Sequence, residues 1–199
     1  MDDNSALLTH GMLCRLRNDH YSKVSVLSIL GDCGVLGRLK NLGVYWSEKM
    51  FGRGEYLYVM DNDGYYTEGW DEKLVTALQA RPDRFKLLGP YRHPYHQPSG
   101  VWTPSGIIKY VVSETDAVQG IGHLMSWETW DDYGPYDANA KGTNQSEDYA
   151  FCRRIVDYGF LVGSIQPDVV YNCGLTDTQG RPCVGIEAMS TRVPGVYYE

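Results

Sequence analysis

The sequence predicts an α/β sandwich, a central mixed sheet with helices on both faces, and three observations carry that prediction. Short apolar runs rich in β-branched and aromatic residues, 23–30 (KVSVLSIL) and 56–60 (YLYVM), stop abruptly at clusters of Gly, Asp and Asn, as buried strands do. Between and after them, apolar residues recur at the spacing of a helix face. The two patterns alternate through the first half of the chain, the order that lays helices over both faces of one sheet.

Each element has a local reason. Residues 5–18 carry Leu7, Leu8, Met12, Leu13 and Leu16 at helical spacing, with Gly11 a weak point. Strand 23–30 stops at Gly31-Asp32-Cys33-Gly34, and a helix follows from Leu36 to about Lys49. Strand 56–60 ends in Asp61-Asn62-Asp63-Gly64. Trp70, Leu74 and Leu78 then mark a helix that Pro82 terminates. Residues 85–88 read as a strand, and 89–106, rich in Pro, His, Gly and Tyr, as a long functional loop. Residues 107–113 are strand-like. Ser146 is a good N-cap, with Glu147 and Asp148 in the first turn and Gly159 where a C-cap is wanted. Residues 161–165 and 169–171 are short strands, and the chain turns loop-like after Gly174.

Composition narrows the class. The 199 residues suffice for one domain, 1–199, with a sizeable core. A net charge of −7 speaks against a broad basic face for a phosphate backbone. No apolar stretch approaches the length of a membrane span, and the start MDDNSALLTH lacks the pattern of a signal peptide. Five cysteines, at 14, 33, 152, 173 and 183, contain no C-x-x-C pair, which points to a reduced, cytoplasmic setting. Asn144-Gln145-Ser146 fits a glycosylation acceptor, but that weighs little without a secretion signal. The aromatic share of 13% is mostly tyrosine, suited to half-buried strand positions and to carbohydrate or base contacts alike.

Carboxylates dominate the candidate chemistry. Asp61 and Asp63 flank Asn62 directly after a buried strand, and residues two apart in extended chain point the same way. Such a pair suits Mg²⁺ or Mn²⁺, and Asp-Asn-Asp-Gly suits a tight Asx turn equally well. Active sites of α/β sheets lie beyond the carboxyl ends of strands, where these residues stand. Glu147 and Asp148 would by themselves only stabilise a helix dipole. His93 and His96 are separated by Pro94, so they read as part of a solvated or substrate-facing loop in preference to a zinc pair on a helix, and neither a G-x-S-x-G elbow nor a P-loop is present. Cys33 fits a small buried residue better than a nucleophile.

Taken in order, these segments resemble the inverting, family-2-like glycosyltransferases of the GT-A fold. Asp2-Asp3-Asn4-Ser5 is similar to that family's D-D-x-S, and Gly34, Asn41 and Gly43 to its N-x-G stretch. Asp61-Asn62-Asp63 is similar to its D-x-D, and Gly134-Pro135-Tyr136-Asp137 to its G-G-F-D turn. Ser146-Glu147-Asp148 with Arg154 and Gly159 resembles its E-D, Arg, Gly helix. The resemblance implies transfer, with inversion, from a nucleotide-sugar, first of all a UDP-sugar. The diphosphate would rest on Mn²⁺ or Mg²⁺ at Asp61 and Asp63, with Asp3 and Asn62 also on the donor. Asp148 would be the base that accepts the acceptor's proton, and Glu147 would shape its pocket. Gly122, His123, Trp127 and Trp130 would flank the acceptor: a glycan, a hydroxylated small molecule or a modified nucleobase. Core packing is the competing expectation for both tryptophans, a carboxylate partner the expectation for Arg154.

Two departures qualify this. The chain opens at the D-D-x-S stretch, so the family's first strand-helix-strand is not before it. That implies a compact domain, a partner chain or oligomer completing the donor pocket, or a truncated reading frame. Asn172 stands where many members place a metal-binding histidine, and an amide is a poorer ligand. The rival expectation is a degenerate GT-A domain that binds glycan or nucleotide without catalysis, as part of a complex.

Overall fold

A computed structural model describes residues 2–3, 15, 28–29, 36–61, 64–90, 100–102, 111–118, 120–140, 146–166 and 169–172. Arg15 is helical; the remaining expectations for 5–18, and those for the turn at 31–34, for Asn62 and Asp63, for the histidines at 93 and 96 and for 173–199, lie outside these residues.

Ten strands and four helices are assigned among the described residues. β1 (Asp2–Asp3) pairs in parallel with β2 (Ser28–Ile29). After helix α1 (Leu36–Phe51) come β3 (Tyr56–Val59), β4 (Gly64–Tyr66) and α2 (Trp70–Ala80). β5 (Phe85–Gly89), β6 (Gly100–Trp102), β7 (Val111–Thr115) and β8 (His123–Ser126) follow. The chain continues through α3 (Trp127–Tyr133), α4 (Glu147–Asp157), β9 (Leu161–Gln166) and β10 (Val170–Asn172).

The main sheet has six strands in the order β3-β8-β5-β9-β7-β6. β8 is antiparallel to both β3 and β5, and β9 is parallel to β5, so β3, β5 and β9 share one direction. Alternation along the strands then sends side chains to two separate cores. Leu57, Val59, Leu87, Met125 and Val162 meet Val44 of α1 and Phe151, Cys152 and Ile155 of α4. Phe85, Leu88, Leu124 and Ile165 meet Leu74, Ala77 and Leu78 of α2 on the other face. Phe85 and Leu87, two apart, reach opposite cores because the register with β9 shifts between them. The architecture is therefore α/β, with a mixed sheet and helices packed on both faces.

The central position of β8 was not expected: the sequence patterns assign no strand to residues 123–126, yet they fill the gap between β3 and β5. Outside the main sheet, β10 pairs with β4, bringing Asn172 opposite Gly64. Among the described residues no helix is long and apolar enough to cross a membrane.

Candidate functional site

Beyond the carboxyl end of β3, at the N-terminus of α4, the buried charged side chains of the described residues gather. Asp61 lies two residues beyond the end of β3. Glu147 and Asp148 form the first turn of α4, whose N-cap is Ser146. Lys40 joins them from the inner face of α1, where Gly37, Lys40 and Val44 are buried at helical spacing.

Its ammonium lies 2.9 Å from Glu147 Oε1 and 3.1 Å from Asp61 Oδ1. Lys40 is only 5% exposed and Glu147 8%, so this pair is shielded from water and weakly screened. Burial alone would pull the lysine pKa down. The charges of Asp61 and Glu147, the Glu147 hydrogen bond and the charge of Asp148 outweigh it, and the pKa is raised. Lys40 is thus a fixed cation.

Asp148 is held from two sides. Its Oδ2 accepts from the Gly120 N–H at 2.9 Å and its Oδ1 from the Tyr149 N–H at 2.8 Å. Burial raises its pKa, but the Ser146 hydroxyl, positive charge on His123, the charge of Lys40 and the Tyr149 N–H more than offset this, leaving the carboxyl below its ordinary range. Ser146 therefore spends its hydroxyl on Asp148, and its side chain makes no bond to the helix N–H groups.

Gly120 stands at the centre. A Cβ there would lie 2.7 Å from Lys40 Nζ, 3.1 Å from Asp61 Oδ2 and 3.4 Å from Asp148 Oδ2. No residue with a side chain fits without displacing the charged groups.

A second set of contacts braces this cluster. Asn41, next to Lys40, grips the Tyr136 backbone twice: Nδ2 donates to the carbonyl at 2.9 Å, and Oδ1 accepts from the N–H at 2.8 Å. Gly37 lets α1 approach the Asp137 carbonyl where a Cβ would overlap it. Arg154 donates to the Pro135 carbonyl, so α4 is tied to the 134–137 turn through backbone and not through the expected carboxylate. The Tyr136 hydroxyl lies 2.9 Å from His123 Nδ1, and His123 Nε2 lies 3.0 Å from the Val118 carbonyl. A carbonyl only accepts, so Nε2 carries a proton.

The sequence-derived residues divide accordingly. Asp61, Glu147 and Asp148 come together. Asn62 and Asp63 lie outside the described residues; Asn172 of β10 pairs with Gly64. Asp3 lies in β1, paired with Ile29, and no described contact joins it to the cluster. His123 and Trp127, expected beside the acceptor, are both buried. His123 is fully buried and its ring nitrogens serve the brace; Trp127 is a core residue beneath the Arg53 guanidinium, 4.7 Å from the ring centre. Trp130 packs on Phe151 and Tyr136, with ring centres 6.1 and 5.6 Å away. Gly122 is buried against Tyr58, whose hydroxyl a Cβ would overlap.

Lys40 is the residue that sequence reasoning missed. Its signal was its register: it falls on the Gly37–Val44 face of α1, while Leu36 and Leu42 turn outward at 45% and 38% exposure. A lysine in a buried stripe is rarely neutral in meaning, because Lys is almost never fully buried unless paired. Buried Cys152 is no nucleophile: burial pushes its thiol up to about 12.

Among the described residues no group of three His, Cys, Asp or Glu side chains converges to hold a metal ion. Asp61 also presents one oxygen to Lys40, so the described residues alone do not make a metal cage. The molecule is thus an α/β protein with a buried charge cluster at the carboxyl ends of parallel strands. Compared with models of protein families and with curated proteins, the chain matches none of them.

Proposed function

We propose that the chain is a glycosyltransferase domain of GT-A type, moving a sugar from a nucleotide-sugar to an acceptor hydroxyl with inversion. The observation that carries this reading is the convergence of Asp61 with Glu147 and Asp148 on Lys40, across 107 positions between Lys40 and Glu147. Burying several carboxylates around one ammonium is costly for stability, and such clusters concentrate where chemistry needs them. The two segments that meet are those resembling the family's D-x-D and E-D motifs.

Mechanistically, Asp148 is ionised and aimed by Gly120 N–H, so it can accept a proton from an acceptor hydroxyl placed within hydrogen-bond reach. Glu147, fixed by Lys40, holds the first turn of α4 in place. Asp61 would hold Mn²⁺ or Mg²⁺ against the donor's diphosphate, where the ion would supply charge neutralisation of the leaving group. The acceptor is a glycan, a hydroxylated small molecule or a hydroxylated base.

The lowered pKa of Asp148 favours one rival, a degenerate domain of the same type that binds nucleotide or glycan without transfer. A weak base is a poor proton acceptor. A donor-by-acceptor screen with Mn²⁺, including hydroxymethylated DNA, tests the proposal. Sugar transfer to any acceptor supports it; nucleotide-sugar binding by calorimetry without transfer supports the rival; neither binding nor transfer sinks both.

A further inference from the structure

We infer that Tyr66 is a positioning residue for Asp148: its hydroxyl fixes the Ile121 carbonyl and, through that backbone, the Gly120 N–H that aims the carboxylate. The inference rests on the glycosyltransferase reading only where it calls Asp148 the base.

The 120–122 loop has little of its own to hold it. Glycines stand on both sides of Ile121, and glycine has more backbone freedom to lose than any other residue. Ile121 itself is buried in the core shared with α2. Side chains do not fit at the flanking positions, since a Cβ on Gly120 would crowd Lys40 and one on Gly122 would overlap the Tyr58 hydroxyl. Hydrogen bonds to the backbone therefore decide where the loop lies. Gly120 N–H donates to Asp148 Oδ2 at 2.9 Å, and the Ile121 carbonyl accepts from the Tyr66 hydroxyl at 3.1 Å. These bonds stand on adjacent residues, so a shift of one disturbs the other.

Tyr66 is fixed independently of its hydroxyl. Its backbone lies in β4 opposite Val170 of β10. The next residue, Thr67, donates both its N–H and its hydroxyl to the Val169 carbonyl, each at 3.0 Å. The Tyr66 ring packs with Trp70 and Tyr58, whose ring centres are 4.7 and 6.1 Å away. Gly64, at the start of β4, permits this close approach: a Cβ there would lie 3.0 Å from the Tyr66 ring and 3.4 Å from the Ile121 side chain. A buried carbonyl that loses its donor must find another or move. Movement of this loop carries the Gly120 N–H off Asp148. The strand that follows the Asp61 turn is thus tied to the group that would take the proton.

Amide hydrogen exchange of the whole chain, read residue by residue by NMR, tests this in wild type, Tyr66→Phe and Tyr58→Phe. Tyr66→Phe keeps the ring and removes only the donor. Gly120 N–H is expected to exchange at least about tenfold faster in Tyr66→Phe than in wild type, measured relative to the amides of the central strand β8, which report any general loss of stability. Tyr58→Phe removes a hydroxyl 3.4 Å from that of Tyr66 but leaves the bond to Ile121. Its Gly120 rate should stay within about twofold of wild type. An unchanged Gly120 rate in Tyr66→Phe, or an equal gain in Tyr58→Phe, overturns the inference. On a donor and acceptor that wild type uses, kcat of Tyr66→Phe should fall at least about tenfold while the donor KM stays within about twofold. Faster exchange with undiminished kcat overturns the positioning role. Absence of transfer by wild type overturns the glycosyltransferase reading alone, and the exchange rates still decide the tether.

Discussion

Lys40, Gly120 and Asp148 show how much of this site depends on single atoms. Removing the ammonium leaves Asp61 and Glu147 without their cation, and truncating one member of a buried ion pair costs about 3–5 kcal/mol. Lys40→Met is therefore expected to lose about that much in denaturant unfolding, and Lys40→Arg clearly less. The pH dependence has a definite sign. Asp148 has a folded pKa below its ordinary 3.8, so its contribution is present above that value and is lost as pH falls through the folded pKa. Lys40 has a folded pKa above its ordinary 10.5, so its contribution is complete below that value and disappears as pH rises through the folded pKa. Melting temperature against pH should be level between these limits as far as these two groups govern it. Lys40→Met should remove the loss at the alkaline end, and a wild-type decline through neutral pH traced to either group would refute the assignment. Asp61 and Asp148 were legible in the sequence because their neighbours resemble ordered motifs. Lys40 was not, because a lysine in a helix reads as surface until its face is known to be buried.

At the scale of elements, α1 and α4 are the two beams that carry the cluster, and each is fastened by a recognisable device. α4 ends in a paired cap: Phe160 N–H donates to Ile155 O at 3.3 Å and Gly159 N–H to Val156 O at 2.8 Å, with Gly159 at φ +88°. Gly159→Ala is expected to cost roughly 1–2 kcal/mol from the left-handed backbone, read as a shift in the denaturation midpoint. α1 is fastened by Asn41, whose two bonds to Tyr136 are replaced by nothing in Asn41→Ala; a loss of about 1–3 kcal/mol is expected, with an effect on Asp148 only through α1. The helices and most parallel strands were readable because their periodicity is local. β8 and α3 were not: the four residues HLMS form a strand only because β3 and β5 flank them, and those partners are distant in sequence. The same distance explains the tryptophans. Trp127 and Trp130 carried two expectations, acceptor contact and core packing, and in α3 both pack against the core that holds Phe151 and Tyr136.

Over the whole molecule, the sheet brings together two segments of the chain that carry nothing decisive alone. The end of β3 offers one carboxylate, the start of α4 offers two, and α1 supplies the charge that lets them coexist. That arrangement makes the 120–122 loop the least tolerant part of the surface facing the site. Gly122→Ala drives a methyl into the Tyr58 hydroxyl and should destabilise by about 1–3 kcal/mol or more, whereas Gly120→Ala should disturb the charges first and stability second. The most direct measurement for the account is sugar transfer by wild type and by Asp148→Asn, on the donor and acceptor that the screen selects and with folding of both verified by thermal melting. A general base contributes about 10²–10⁴-fold, so kcat should fall by at least about a hundredfold with the fold intact. Undiminished transfer by Asp148→Asn would contradict the assignment of this cluster as the catalytic centre.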